Sequence, residues 1–148
     1  MKRKEPYVNW NEETGTATVI LYDRDNVFIG AAQCHPDDMD MKSEYTGTHI
    51  AYLRAQLNYY KHLRDAEIKP AIKALEHIVG CYKEDKYDIN SNEAFLVRRQ
   101  IKHYYNDLEI VRECINLIKN ELHNYLSDKE KFYTHIRKNR NSKAKSDK

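Results

Sequence analysis

The stretch Cys34-His35-Pro36-Asp37-Asp38-Met39-Asp40 gathers five side chains that can ligate, titrate or attack into seven positions. A zinc site needs such groups in tetrahedral array. Cys34 and His35 are neighbours on a predicted strand, so their side chains point to opposite faces and do not close on one ion. The acidic run lacks the glycine and the distal glutamate of a calcium loop. The residues fit a structural role better. Cys34 turns into the core, Pro36 ends the strand, and Asp37, Asp38 and Asp40 cap and favour the N-terminus of the coming helix. No catalytic residue, metal ligand or cofactor is assigned to them. Their charge makes Asp37, Asp38 and Asp40 candidate partner contacts, able to mimic nucleic acid toward a basic cleft.

The remaining histidines (49, 62, 77, 103, 123 and 135) are dispersed. No Ser/His/Asp or Cys/His set for nucleophilic catalysis is suggested, and there is no P-loop or G-x-G-x-x-G. Arg64 falls on an apolar row, where Asp107 is the expected partner and a register device the expected role. Arg137, Lys138, Arg140, Lys143 and Lys145 form a basic end that suits phosphate or serves as a solubilising tail. Arg98, Arg99 and Lys102 make a second, smaller basic group.

These residues need elements to place them. Tyr7–Trp10, Thr16–Tyr22 and Val27–His35 predict three antiparallel strands, rich in β-branched and aromatic residues and divided by polar turns. Gly30 inside the third predicts a bulge. From Ser43 the period becomes helical. Ile50, Leu53, Leu57, Tyr60 and Arg64 recur at 3,4 spacing, step on to Ile68 and Ile72, and resume at Leu75, Val79 and Tyr82. The irregular step is a stutter. Pro70 lies there and predicts a kink or two abutting helices. Residues 85–91 are the expected linker, with Asn90 and Glu93 at capping-box spacing. From Val97 through Ile101, Tyr104, Leu108, Val111, Ile115, Ile118, Leu122, Tyr125, Lys129 and Phe132 to Ile136, strict 4,3 alternation, with Lys129 its only charged member, predicts a coiled coil.

The expected architecture is therefore α+β and mostly α. A β-meander head (1–42) packs on an antiparallel helical hairpin (43–136), followed by a disordered basic tail (137–148), in one folding unit. Hairpin partners have numbers summing to about 175, and the meander packs near Phe132, Tyr133 and Ile136. Two apolar stripes exceed what one seam needs. Tyr45, Tyr52 and Tyr59 recur every seven residues, either widening the seam or meeting a partner. Ile110, Cys114 and Leu117 form a second stripe on the last helix, with Leu96, His103 and Ile110 also heptad-spaced. This stripe points to self-association as a homodimer.

Composition bounds the function classes. The chain has 148 residues, four glycines, three prolines and 12 tyrosines. That glycine count argues against a large α/β enzyme, whose βα turns need more. No apolar run approaches a membrane span. The net charge of +2 divides into an acidic head, a balanced middle and a basic end, so the chain is not a basic nucleic-acid binder throughout. Cys34, Cys81 and Cys114 are an odd, dispersed set, and no apolar h-region follows Met1. Both features predict a reduced cytoplasmic protein.

The stretch Phe28-Ile29-Gly30-Ala31-Ala32-Gln33-Cys34-His35-Pro36-Asp37-Asp38, with Gly47, Ile50-Ala51, Arg54-Ala55 and Lys69-Pro70 downstream, resembles a group of small proteins encoded by phages and prophages of Gram-positive bacteria. The resemblance covers roughly residues 16–125, and Cys-His-Pro-Asp-Asp is its most specific part. It implies no catalytic residue. It implies an accessory protein in an infected or lysogenic cell, of a kind that often binds host or defence machinery, including anti-CRISPR and other anti-defence inhibitors. The expectation is a non-enzymatic protein that binds and inhibits a bacterial protein, such as a CRISPR–Cas or other defence component. The alternatives are a nucleic-acid-associated module using the basic end, and a structural homo-oligomeric coiled coil.

Overall fold

A computed structural model describes the backbone of residues 4–84 and 92–146 and the side chains of residues 4–81, 92–124 and 126. The expected linker at 85–91, with the Asn90 cap, lies outside the described residues. So do the side chains of Phe132, Tyr133 and Ile136, where the meander was placed, and those of the basic end.

The fold is α+β and mostly helical. Strands β1 (Tyr7–Asn11), β2 (Thr16–Asp23) and β3 (Asn26–Gln33) form one antiparallel sheet in that order. A 3-10 turn (Pro36–Met41) leads into α1 (Glu44–His62), a π-helical segment (Leu63–Ile68), α2 (Lys69–Glu84) and α3 (Asn92–Ser146). α3 takes in 137–146, the segment expected as a tail. The chain divides into two compact units, Met1–Leu57 with Leu117–Lys148, and Asn58–Asn116.

The first unit is built on the sheet. Period-2 alternation buries Ala17 and Val19 of β2 with Phe28, Gly30 and Ala32 of β3. The expected bulge at Gly30 is absent, since β2 and β3 pair without interruption from Thr16–Gln33 to Asp23–Asn26. Glycine is required there because α1 runs directly over it. A Cβ on Gly30 would lie 1.9 Å from the Ala51 carbonyl oxygen and 2.4 Å from the Ala55 amide nitrogen. Gly47 makes the reciprocal approach from the helix, beneath the Trp10 ring. Small residues on both sides thus let the sheet and α1 backbones meet, burying Ala51 and Ala55 completely. Arg54 Nη1 donates to the Ala31 carbonyl at 2.7 Å, which fastens the helix to β3.

Turn chemistry sets the connections. Gly15 has φ +63°, and its carbonyl accepts from the Cys34 amide at 2.9 Å. Arg24 between β2 and β3 has φ +55°, a left-handed conformation that disfavours a residue with a Cβ. α1 starts where Ser43 Oγ accepts from the Thr46 amide at 3.2 Å, an N-cap geometry. His49 Nε2 lies 3.2 Å from Glu121 Oε1 of α3. Ile50, Leu53, Ile118 and Leu122 supply buried apolar surface within this unit.

In the second unit, the kink or break expected at Pro70 takes the form of a π turn. The Lys69 amide donates to the Arg64 carbonyl, five residues back. The apolar row gains one residue between Arg64 and Ile68, and the wider turn absorbs it. Ile68 and Ile72 remain buried beyond it. Arg64 does not seek Asp107, which is exposed. It pairs with its neighbour Asp65 instead, Nε to Oδ1 at 2.8 Å and Nη2 to Oδ2 at 2.9 Å. On α3, Leu108, Val111 and Ile115 are buried as the 4,3 pattern predicts. Tyr105 donates its hydroxyl to Glu76 of α2 at 2.6 Å, and that carboxylate pushes the phenol pKa up.

Candidate protein-interaction site

The Cys34–Asp40 cluster is a turn built from its own side chains. His35 Nδ1 accepts from the Asp37 amide at 3.2 Å. The N-cap is thus a histidine, in place of the aspartates expected to cap. The His35 carbonyl accepts from the Asp38 amide, and the Cys34 thiol donates to the Asp38 carbonyl at 3.2 Å. Asp37 and Asp40 are exposed. Asp38 is only 5% exposed, so its carboxylate is withdrawn from the acidic face it was expected to join. No three His, Cys, Asp or Glu side chains converge as metal ligands among the described residues.

The tyrosine stripe is similarly divided. Tyr45 is 79% exposed and stacks on His49 with centroids 6.2 Å apart. Tyr52 and Tyr59 are half-buried, and Tyr59 meets Tyr60 edge-on. They do not present one open face. The second stripe of α3 has a different character. Ile110 and Leu117 are 58% and 68% exposed, and Cys114 is half-buried.

A cleft of about 90 Å³ in the first unit is lined by Trp10, Gln33, Cys34, Ser43, Arg54 and Leu126, among others. Ligand pockets run from about 300 Å³ upward, so this one suits a few waters rather than a substrate.

The outer face of the sheet is larger in consequence. Register places Tyr7, Ile20 and Ile29 side by side, with Tyr22 beside Val27 one step along. Tyr7, Ile29 and Val27 are 51%, 52% and 55% exposed. Lys4 Nζ lies 5.4 Å from the Tyr22 ring centroid, a cation–π contact at the rim. A sheet apolar on its uncovered side is unusual, because antiparallel sheets with one solvated face alternate cleanly. Apolar surface of this kind, rimmed by polar groups, marks interaction sites. None of these residues was singled out from sequence. The signal was present nonetheless: Val27-Phe28-Ile29 is apolar at both parities, the mark of a strand that buries both faces.

No helix among the described residues is long and apolar enough to cross a membrane. Comparison finds no matching protein family, no matching curated protein and no matching solved structure.

Proposed function

We propose that this chain is a non-enzymatic accessory protein of the bacterial cytoplasm that binds, and by binding inhibits, a bacterial host or defence protein. The observation that carries this reading is the uncovered outer face of the sheet, where Tyr7 aligns with Ile29 through Ile20 and Val27 lies beside Tyr22, with Tyr7, Val27 and Ile29 each about half exposed. Tyr-rich apolar patches with a polar rim are the usual anchors of protein interfaces. Asp37, Asp40 and Tyr45 add exposed acidic and aromatic groups in the same unit. The helices are proposed to pair as an antiparallel hairpin. The His49–Glu121 contact in one unit and the Tyr105–Glu76 bond in the other support that pairing.

The test is capture of partners from a bacterial lysate, followed by a dissociation constant with the purified partner. Ile29→Glu should weaken binding at least about tenfold, the cost of placing a charge at an apolar anchor. Binding indifferent to Ile29→Glu would reject the sheet face. Binding that falls steeply with salt and vanishes on truncation at Ile136 would instead favour the nucleic-acid reading.

A further inference from the structure

Within the second unit, α3 carries a heptad-spaced strip, half of it apolar, that its own chain leaves largely open. Leu96 and Ile110 are each 58% exposed, His103 between them is exposed, and Cys114 is half-buried. Leu96, His103 and Ile110 are heptad-spaced, and Gln100, Asp107 and Cys114 interleave with them at 4,3 spacing. The strip therefore has the spacing of a second coiled-coil seam, apolar at Leu96, Ile110 and Cys114 and polar at Gln100, His103 and Asp107, offset around the helix from the buried row Leu108, Val111 and Ile115.

We propose that this seam is occupied by a second copy of the chain, its α3 running antiparallel about a two-fold axis beside Tyr105 and Asn106. Charge selects both the occupant and the direction. Between Arg98 and Glu113, the basic residues Arg98, Arg99 and Lys102 precede Asn106, while Asp107, Glu109 and Glu113 follow it, with Arg112 the one exception in that stretch. A helix that is basic before its midpoint and acidic after it complements itself only when reversed. In antiparallel register, facing seam residues have numbers summing to about 210. His103 then meets Asp107 of the second copy, Leu96 meets Cys114, and Gln100 meets Ile110. Flanking the seam, Arg99 meets Glu113. Symmetry makes every one of these contacts twice. A parallel pair would instead stack His103 on His103 and Asp107 on Asp107. No ion pair within the chain, among the described residues, takes up Arg99 or Glu113.

This inference concerns a different surface from the outer sheet face and is independent of the partner proposed there. Sedimentation of the full chain at up to about 0.1 mM should show a dimer, and Ile110→Glu should leave a monomer. Arg99→Glu should weaken dimerisation about tenfold, because two pairs turn repulsive at once. Arg99→Glu combined with Glu113→Arg should restore it, which a folding defect would not do. In Asn106→Cys, a short bismaleimide should join the introduced thiols across the axis. The two native Cys114 thiols, separated by about 27 Å along the helices, should form no disulfide with each other. A monomer at every concentration would overturn the proposal. So would a Cys114–Cys114 disulfide in the dimer, or a charge swap that fails to restore it.

Discussion

Gly30 shows how one residue governs the first unit. Its missing Cβ is what lets β3 and α1 touch backbone to backbone. Gly30→Ala should destabilise the protein by about 3 kcal/mol or more, since the obstacle is backbone rather than a movable side chain. Urea unfolding measures this, and a loss below about 1 kcal/mol would contradict the packing. Arg24 makes the opposite prediction. Its left-handed backbone is held at a cost, so Arg24→Gly should raise stability by about 0.5–1 kcal/mol. Asp65 offers a test by titration. The Arg64 guanidinium, followed by Lys69 at 3.3 Å, holds its carboxyl down to about 2. A carboxyl depressed in the folded state lends stability above its unfolded pKa and loses it as pH falls toward the folded one. The π turn should therefore loosen between about pH 4 and pH 2. An NMR titration of Asp65 with its midpoint near 4 would contradict the bidentate pair. Gly30 was visible in the sequence as an anomaly within a strand. Its reason was not, because close approach depends on Ala51 and Ala55, more than twenty positions away.

At the scale of elements, hydrophobic period was a dependable guide. The 4,3 row of α3 named Leu108, Val111, Ile115, Ile118 and Leu122, all of them buried. The strands of the sheet appear where β-branched residues cluster. The irregular step near Pro70 was legible as a disturbance, but its form was not. One extra residue can be taken up by kinking, breaking or widening a helix, and only the local hydrogen bonds decide. Here the Lys69 amide reaches back to Arg64. It follows that deleting Ala66, with Pro70→Ala to remove the ring clash, restores an unbroken 3,4 row. Deleting Lys73 in the same Pro70→Ala background misaligns Ile72 with Leu75. Both deleted residues are exposed, yet the first deletion should cost less stability by about 2 kcal/mol or more. Equal losses in denaturant unfolding would show that the π turn does not arise from the extra residue.

For the whole molecule, the α+β, mostly helical class was legible in the sequence, and the surface proposed to meet a partner was not. The Cys-His-Pro-Asp-Asp element drew attention because it is dense in chemistry. Its groups are largely spent on one another, in the His35 cap, the Cys34 thiol contact and the burial of Asp38. The small and basic residues around it do structural service too: Gly30, Gly47, Ala51, Arg54 and Ala55 join sheet to helix. The outer row of the sheet, with Tyr7 and Ile29 open on either side of half-buried Ile20, is apolar and unremarkable in sequence. Such a row emerges only when strand register sets its members abreast. The most direct measurement is the dissociation constant of the chain for a bacterial protein captured by it, with Ile29→Glu and Ile110→Glu compared against the native sequence. Ile29→Glu should weaken binding at least about tenfold, while Ile110→Glu, on the separate α3 seam, should leave the sheet contact intact. Binding unchanged by Ile29→Glu would contradict the sheet-face reading.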